Sequence, residues 1–349
     1  VIEARFREAL GLQKAGRLAD AESIWRSLVV QAPTVAMVHH NLVALLRAQG
    51  RHADAETVLW SAHSRLPGDP EITHALAITL LAAGDYARGW PLWESRRAIQ
   101  GTQSSAPPFS FPEWRGQPSG SLLVWYEQGF GDQIQFARYV PHLRALGINV
   151  TLACRPPLAR LFEGLADHLI VAEGEVRIPR RDAWTLIQSL PGLCGTTLET
   201  IPDGVIFPAT SAERASGRVG VVTRGSPDHR NDARRSLPQD QADRLLSLPG
   251  ALSLMPEHTG ARDFADTAAL IRNVDLVITV DTSVAHLAGA MGKAVWILLP
   301  ALDTDWRWLR DREDSPWYRT ARLFRQARGE PWSAVVDRVG RTLERGRGV

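Results

Sequence analysis

Cysteine is scarce. The 349-residue chain has two, Cys154 and Cys194, forty positions apart. Such a pair builds neither a disulfide framework nor a clustered metal site, and a reducing cytoplasm is the expected setting. An excess of one charge is lacking as well. Lys and Arg number 40 against 38 Asp and Glu, a net charge of +2. With the signs interspersed, no basic footprint for nucleic acid is visible. No apolar run reaches the ~18 residues of a transmembrane helix. The opening VIEARFREAL is charged and helical in pattern, unlike a signal peptide. Neither a G-x-G-x-x-G fingerprint nor a P-loop occurs. What remains, 44% hydrophobic and 22% charged residues, is the composition of a globular chain long enough for two or three domains. Tryptophan, with 12 copies, is unusually frequent, and several copies sit in polar segments.

The first hundred residues repeat with a 34-residue period. Gly16, Gly50 and Gly84 keep it, as do Leu12, Leu46 and Leu80. Ala21 and Ala55 are followed in phase by Gly89, and Trp25 and Leu59 by Trp93; Pro33 and Pro67 close two units. The segments AGRLADAE and QGRHADAE are near copies. This pattern resembles the tetratricopeptide repeat. Each unit is a helix–turn–helix that buries its apolar face only by stacking on neighbours, and such arrays are recognition surfaces for extended peptides or proteins. A bracing helical cap is the blander alternative.

Residues 101–120, rich in Pro, Ser and Gly, mark a boundary, with Phe109, Phe111 and Trp114 pinning the linker to a surface. Strands and helices then alternate, which implies parallel sheets with ligands over the carboxyl ends of the strands. Strands are expected at 121–126, 149–153, 169–171 and, more weakly, 183–188. Helices are expected at 133–146, ended or kinked by Pro141, and at 158–165. The turn after the first strand, EQGFGD, places Gln128, Gly129, Gly131 and Asp132 at such an end. Asp132 reads as a helix N-cap or as a general base.

A second set begins with a strand at 219–222. Its turn carries Thr223, Arg224, Ser226, His229, Arg230, Arg234, Arg235 and Ser236, a basic, hydroxyl-rich loop suited to an anion or else a solvated charged loop. A strand at 252–255 ends at Met255, and Asp266 is expected to cap a helix at 267–273. Next comes DLVITVDTSVAHLAGAMGKAVWILLP, residues 275–300. It reads as strand, hydroxyl turn, small-residue helix stopped at Gly292, and strand. The turn Asp281-Thr282-Ser283 either caps its helix or offers unpaired N–H groups and hydroxyls to a diphosphate. His286, one turn on, is a ligand contact or a core histidine. Trp306 and Trp308 after Pro300, together with Phe264, either line a cleft or pack a loop. Trp332, Val335, Val336, Val339 and Leu343 fall at helical spacing.

With these residues in place, the chain resembles bacterial tetratricopeptide-repeat proteins fused to a glycosyltransferase domain similar to the lipopolysaccharide heptosyltransferases. More remotely it resembles O-linked N-acetylglucosamine transferase. The segments that carry the likeness are EQGFGDQIQFARY, HRNDARRS, residues 275–300, and DWRWLRDREDSPWY with LFRQ. The resemblance implies helical repeats followed by a GT-B fold, two Rossmann-like domains facing each other. The expected boundaries are 1–100 for the repeats, 101–120 for the linker, 121–215 for the acceptor side, 216–330 for the donor side, and 331–349 for a helix crossing back to the first domain. It implies that Asp132 of the Gly131-Asp132 pair is the catalytic base and that Arg235 occupies the place of a lysine neutralising the donor diphosphate. Asp281, Thr282, Ser283 and His286 would hold the donor's phosphates and sugar. Two departures touch donor recognition: VVTRGSP, with Thr223, Arg224 and Ser226, replaces a V-W-A-G-N-P-like segment, and Met255 stands where Gln is frequent.

The expected activity is therefore inverting transfer of a sugar from a nucleotide-diphosphate donor to an acceptor hydroxyl, with no metal or cofactor, since no Asp-x-Asp motif is read near a strand end to hold a metal. A Ser or Thr of a protein bound by the repeats is the expected acceptor. The rival readings are a non-catalytic interaction scaffold and a sugar-nucleotide epimerase, which would require a second acid/base residue facing Asp132.

Overall fold

The computed structural model describes residues 2–102, 104, 107–204, 206–207, 217–229 and 231–347. The chain divides into two compact units, Val1–Thr102 and Gln103–Val349.

In the first unit three helix–turn–helix pairs follow one another: Ile2–Lys14 with Leu18–Gln31, Ala36–Ala48 with His52–Arg65, and Pro70–Ala82 with Tyr86–Trp93. The periodic glycines Gly16, Gly50 and Gly84 hold φ of +76°, +75° and +82° at the turns, a conformation costly for residues with a Cβ. The phase-locked apolar residues are the core, and Ala21, Trp25, Ala55 and Leu59 are fully buried in one cluster. The third pair has Gly89 where the others have alanine because Leu81 crowds it. A Cβ there would lie 2.6 Å from the Leu81 Cδ2.

The second unit holds two parallel sheets. One consists of β1 (Ser121–Trp125), β2 (Asn149–Cys154), β3 (His168–Val171) and β4 (Ala183–Leu186), in the order β3-β2-β1-β4. The other consists of β5 (Val219–Val222), β6 (Ala251–Ser253), β7 (Leu276–Val280), β8 (Ala294–Leu299) and β9 (Ala321–Arg325), in the order β6-β5-β7-β8-β9. All pairings are parallel. The central strands β5 and β7 are buried along their whole length, as strands covered on both faces are. This is the expected order of parts, helical repeats followed by two parallel-sheet, Rossmann-like halves. The linker is pinned as expected: Phe109 packs on Trp125 and Trp184, and the backbone of Trp114 donates to the Trp184 carbonyl at 2.7 Å beside β4.

Several expectations are corrected. The helix expected at 133–146 is two, Phe130–Phe136 and Tyr139–Ala145. The break precedes Pro141, which falls in a first turn where no N–H is needed. In place of a helix at 158–165 there is a 3-10 turn, Pro156–Leu158, with its two prolines in the first positions. Asp263, not Asp266, caps the helix Phe264–Arg272 by accepting from the Asp266 N–H. Asp266 instead pairs with Arg160 and Arg262. The strand β9 has no counterpart in the sequence reading. Finally, the helix Trp332–Arg347 buries Val335, Val336, Val339 and Leu343 against Val219, Ile278, Leu298 and Phe324 of the second sheet. It lies on the second α/β half, where a helix crossing to the first half was expected.

Candidate active site

Strand order decides where a site can form. In the first sheet the chain runs β1, β2, β3 outward and then returns to place β4 on the other side of β1. In the second it runs from β5 to β6 and then returns to place β7 on the other side of β5. Crevices open at such reversals, outside the strands' carboxyl ends. The turns after β1, β5 and β7 are those singled out in the sequence.

After β1, Glu127 is buried and its Oε1 accepts the Gln188 N–H at 2.9 Å, tying the ends of β1 and β4 together. Gln128 follows with φ +56°, strained for a residue with a side chain. Its carbonyl accepts from the Arg155 guanidinium at 2.5 Å. Gly129 is the N-cap of Phe130–Phe136, and its N–H donates to Asp132 Oδ2 at 2.9 Å. Gly131 has a specific reason to lack a Cβ. A methyl there would sit 2.7 Å from the His286 Cδ2 and 3.4 Å from the Ser283 Cα. The two helix N-termini, one from each half, therefore meet at this glycine.

After β7, Thr282 is the backbone N-cap of Ser283–Ala290, yet no side chain caps that helix. The Thr282 hydroxyl turns inward to the Thr279 hydroxyl at 3.2 Å. Arg235 comes from the turn after β5 and donates from Nη1 to the Asp281 carbonyl at 2.8 Å, while its Nε contacts Asp232 Oδ1 at 3.1 Å. Gly225 lies directly beneath that guanidinium. Ser236 accepts from the Gly225 N–H and donates to Asp232, closing the turn on itself. His286 is buried; its Nδ1 is 3.0 Å from the Tyr318 hydroxyl and its ring stacks on Trp308. Burial, and then the charge of Arg307, hold its imidazole down to about 3, so it is neutral across the physiological range.

The residue that joins the halves is one the sequence reading passed over. Arg307 follows β8 in a 3-10 turn, Trp306–Trp308, and its side chain is 5% exposed. Its Nη2 meets Asp132 Oδ1 at 2.5 Å and Gln188 Oε1 at 3.3 Å, and its Nη1 reaches both oxygens of Asp305 at 3.0 and 2.9 Å. Burial raises the Asp132 carboxyl above its usual range; Arg307 opposes this, while Asp305 and Glu127 add to it. Burial likewise raises Asp281, with Asp305 adding to the effect. Asp305 is itself held below the usual range, because Arg307 outweighs its burial. Arg307 Nε and Gln188 Nε2 are buried without a hydrogen-bond partner, so the cluster has donors to spare. A signal was available in the sequence: an arginine between two tryptophans, two positions after an aspartate, is a charge embedded in apolar residues.

The structure brings together Asp132, Gly129, Gly131, Arg235, Ser236, Asp281, Thr282, Ser283 and His286. Thr223 is buried, and its carbonyl accepts the Leu237 N–H. Ser226 is exposed, and Met255 caps a separate short helix after β6. Arg230 lies outside the described residues. Phe264 packs on Phe130, while Trp306 and Trp308 are buried; all three act in packing. One further correction concerns metals. Asp303-Thr304-Asp305 is an Asp-x-Asp triplet just behind β8, which the reading of this chain as free of that motif overlooked. Asp303 pairs with Arg234 and Asp305 with Arg307. Among the described residues no three His, Cys, Asp or Glu side chains gather to hold a metal. Cavities of about 160 and 320 Å³ adjoin the junction, one lined by Gly289 and Tyr318, the other by Arg160 and Arg272. Neither includes Asp132 or Asp281. No helix among the described residues is long and apolar enough to cross a membrane.

Comparison with known proteins agrees on the repeats. Residues 36–79 match the family described as tetratricopeptide repeat. The chain is 28% identical over 322 residues to Protein FlbA of Caulobacter vibrioides, with 76% of this chain and 53% of that protein aligned. It thus spans about half the length of this curated relative. Among solved structures it is similar to a glycosyl transferase of family 9 from Veillonella parvula, at 10% identity and TM-score 0.41 over 61% of this chain and 88% of that one. It is also similar to a mutant O-GlcNAc transferase of Thermobaculum terrenum, at 14% identity and TM-score 0.30 over 99% and 91%. PcrH of Pseudomonas aeruginosa matches over 31% of this chain and 78% of its own, at 20% identity and TM-score 0.26. The architecture rests on the strands and registers described above, not on these scores.

Proposed function

We propose that the chain is an inverting, metal-independent glycosyltransferase that moves a sugar from a nucleotide-diphosphate donor to an acceptor hydroxyl, the acceptor being a Ser or Thr of a protein bound by the repeats. The observation that carries this reading is the meeting of the turns after β1 and β7 at Gly131. It brings the turn that carries the Asp132 carboxylate in one half against a helix N-terminus of the other that no side chain caps.

In this reading Asp132 takes the proton from the acceptor hydroxyl as its oxygen attacks the anomeric carbon. The bond from that carbon to the donor phosphate breaks on the opposite side, and the departing diphosphate keeps the electron pair. Arg235 and the N–H groups of Ser283–Ala290 stabilise the developing charge. Asp132 is engaged by Arg307 at Oδ1 and only 19% exposed, so the acceptor hydroxyl is taken up at Oδ2, the oxygen that Arg307 does not hold. Thr223, Ser226, Ser236 and Met255 are assigned to donor recognition, with Gln128 and Gly129 on the acceptor side.

A second reading, the non-catalytic scaffold, is favoured by that same ion pair, which locks the carboxylate away. Thermal shift with a panel of nucleotide-sugars, on the wild type and on Arg235→Ala, separates the two. Stabilisation by at least one donor, weakened in Arg235→Ala, supports the transferase; no shift with any donor supports the scaffold.

A further inference from the structure

The geometry points to Arg307 as the residue that positions Asp132, fixing one of its oxygens from the opposite half and keeping a positive charge beside it. This deepens the proposed function and rests on Asp132 as the base.

Three observations carry it. The guanidinium lies over two rings, with its Cζ 4.6 Å from the centre of the Trp306 ring and 5.2 Å from that of Phe136. It is aimed by Asp305, whose Oδ1 also accepts the Arg307 backbone N–H at 2.9 Å. Within the second unit the other cations at the junction do different work. Arg138 donates to the carbonyls of Gln135 and Trp317, and Arg160 forms exposed pairs with Asp263 and Asp266. Arg307 alone is paired with Asp132 among the described residues. A purely structural ion pair has no use for the unpartnered Arg307 Nε and Gln188 Nε2 beside it, since buried donors left unpaired are destabilising. A carboxylate that is to take a proton from an acceptor drawn up beside it does have such a use, because spare donors can hold the acceptor.

Asp132 is faced by Arg307 and Asp305 from the loop after β8 and by Glu127 from its own strand end. The Tyr318 hydroxyl also faces it, and Asp281 and His286 face Arg307 from the β7 side. These groups predict opposite effects of two substitutions. Removing the cation in Arg307→Gln moves the Asp132 titration to higher pH. Removing the competing charge in Asp305→Asn, which keeps the shape, moves it to lower pH. Arg307→Lys falls between the wild type and Arg307→Gln.

The test is carboxyl-carbon NMR titration of the full chain carrying ¹³C-labelled aspartate, with the Asp132 signal identified by its loss in Asp132→Asn. Where Arg307→Gln does not fold, Asp305→Asn and Arg307→Lys decide. An Asp132 midpoint unmoved in the folded variants overturns the inference. With a turned-over donor, the acid limb of kcat follows the same order, and Arg307→Gln loses about 10²-fold in kcat with KM for the donor little changed. Lack of turnover with every donor in the wild type sinks the enzyme reading, while the titration still decides whether Arg307 holds the carboxylate.

Discussion

Gly131 is the residue on which the two halves meet, and its importance is steric. Gly131→Ala forces the methyl into His286 and Ser283, and overpacking of this kind typically costs about 1–3 kcal/mol. The expected result is a lower denaturant midpoint for the second unit; an unchanged midpoint would show that the junction is looser than described. A further prediction at this scale concerns Asp281, whose carboxyl burial pushes up to about 7, helped by Asp305. A carboxyl raised on folding holds its proton in the native state after the unfolded chain has lost it. Between roughly pH 4, the unfolded value, and the folded value the unfolded state thus binds fewer protons, so this group's stabilisation declines as pH rises. Asp281→Asn removes that dependence. The stability of the wild type relative to Asp281→Asn is expected to fall between pH 5 and pH 7.5, as measured by urea titration at the two values; a constant difference contradicts it. Taking the difference cancels the opposing contribution of His286, which must gain a proton on unfolding below its ordinary range.

Among the elements, the helical repeats were the most legible. A 34-residue period in glycine, small and aromatic positions has few physical solutions, and the pairs fall where it puts them. Trp25 is fully buried between helices of neighbouring units, so Trp25→Ala is expected to destabilise the first unit by about 3–5 kcal/mol, read as a fall in the urea midpoint. A change below about 1 kcal/mol would mean that the repeats do not share one core. Buried strands such as β5, β7 and β8 could be read from continuous apolar runs. Helices near prolines could not be placed as well: Pro141 falls inside a first turn, and Pro156 and Pro157 open a 3-10 turn of only three residues. The strand β9 escaped notice because Arg322 and Arg325 interrupt its apolar residues. Its pattern is that of an edge strand, and only its register with β8 reveals it.

For the whole molecule, chain order gave away two α/β halves but not the strand orders that put the β1, β5 and β7 turns at crevices. Nor did it give Arg307 as the partner of Asp132, because that contact joins residues 175 positions apart. The N-cap read at Asp132 is Gly129 instead, and Asp132 sits at the third helical position of that capping turn. One oxygen accepts the Gly129 N–H while the other meets Arg307. The account therefore makes a demand on chemistry: the leaving group is held by the β7 side and the proton is taken at Asp132. The most direct measurement compares donor binding and nucleoside diphosphate release for the wild type and Asp132→Asn, with the donor that gives the largest thermal shift. The account predicts that Asp132→Asn binds this donor about as well as the wild type and releases diphosphate at least ~10²-fold more slowly. Equal release by the two proteins would contradict it.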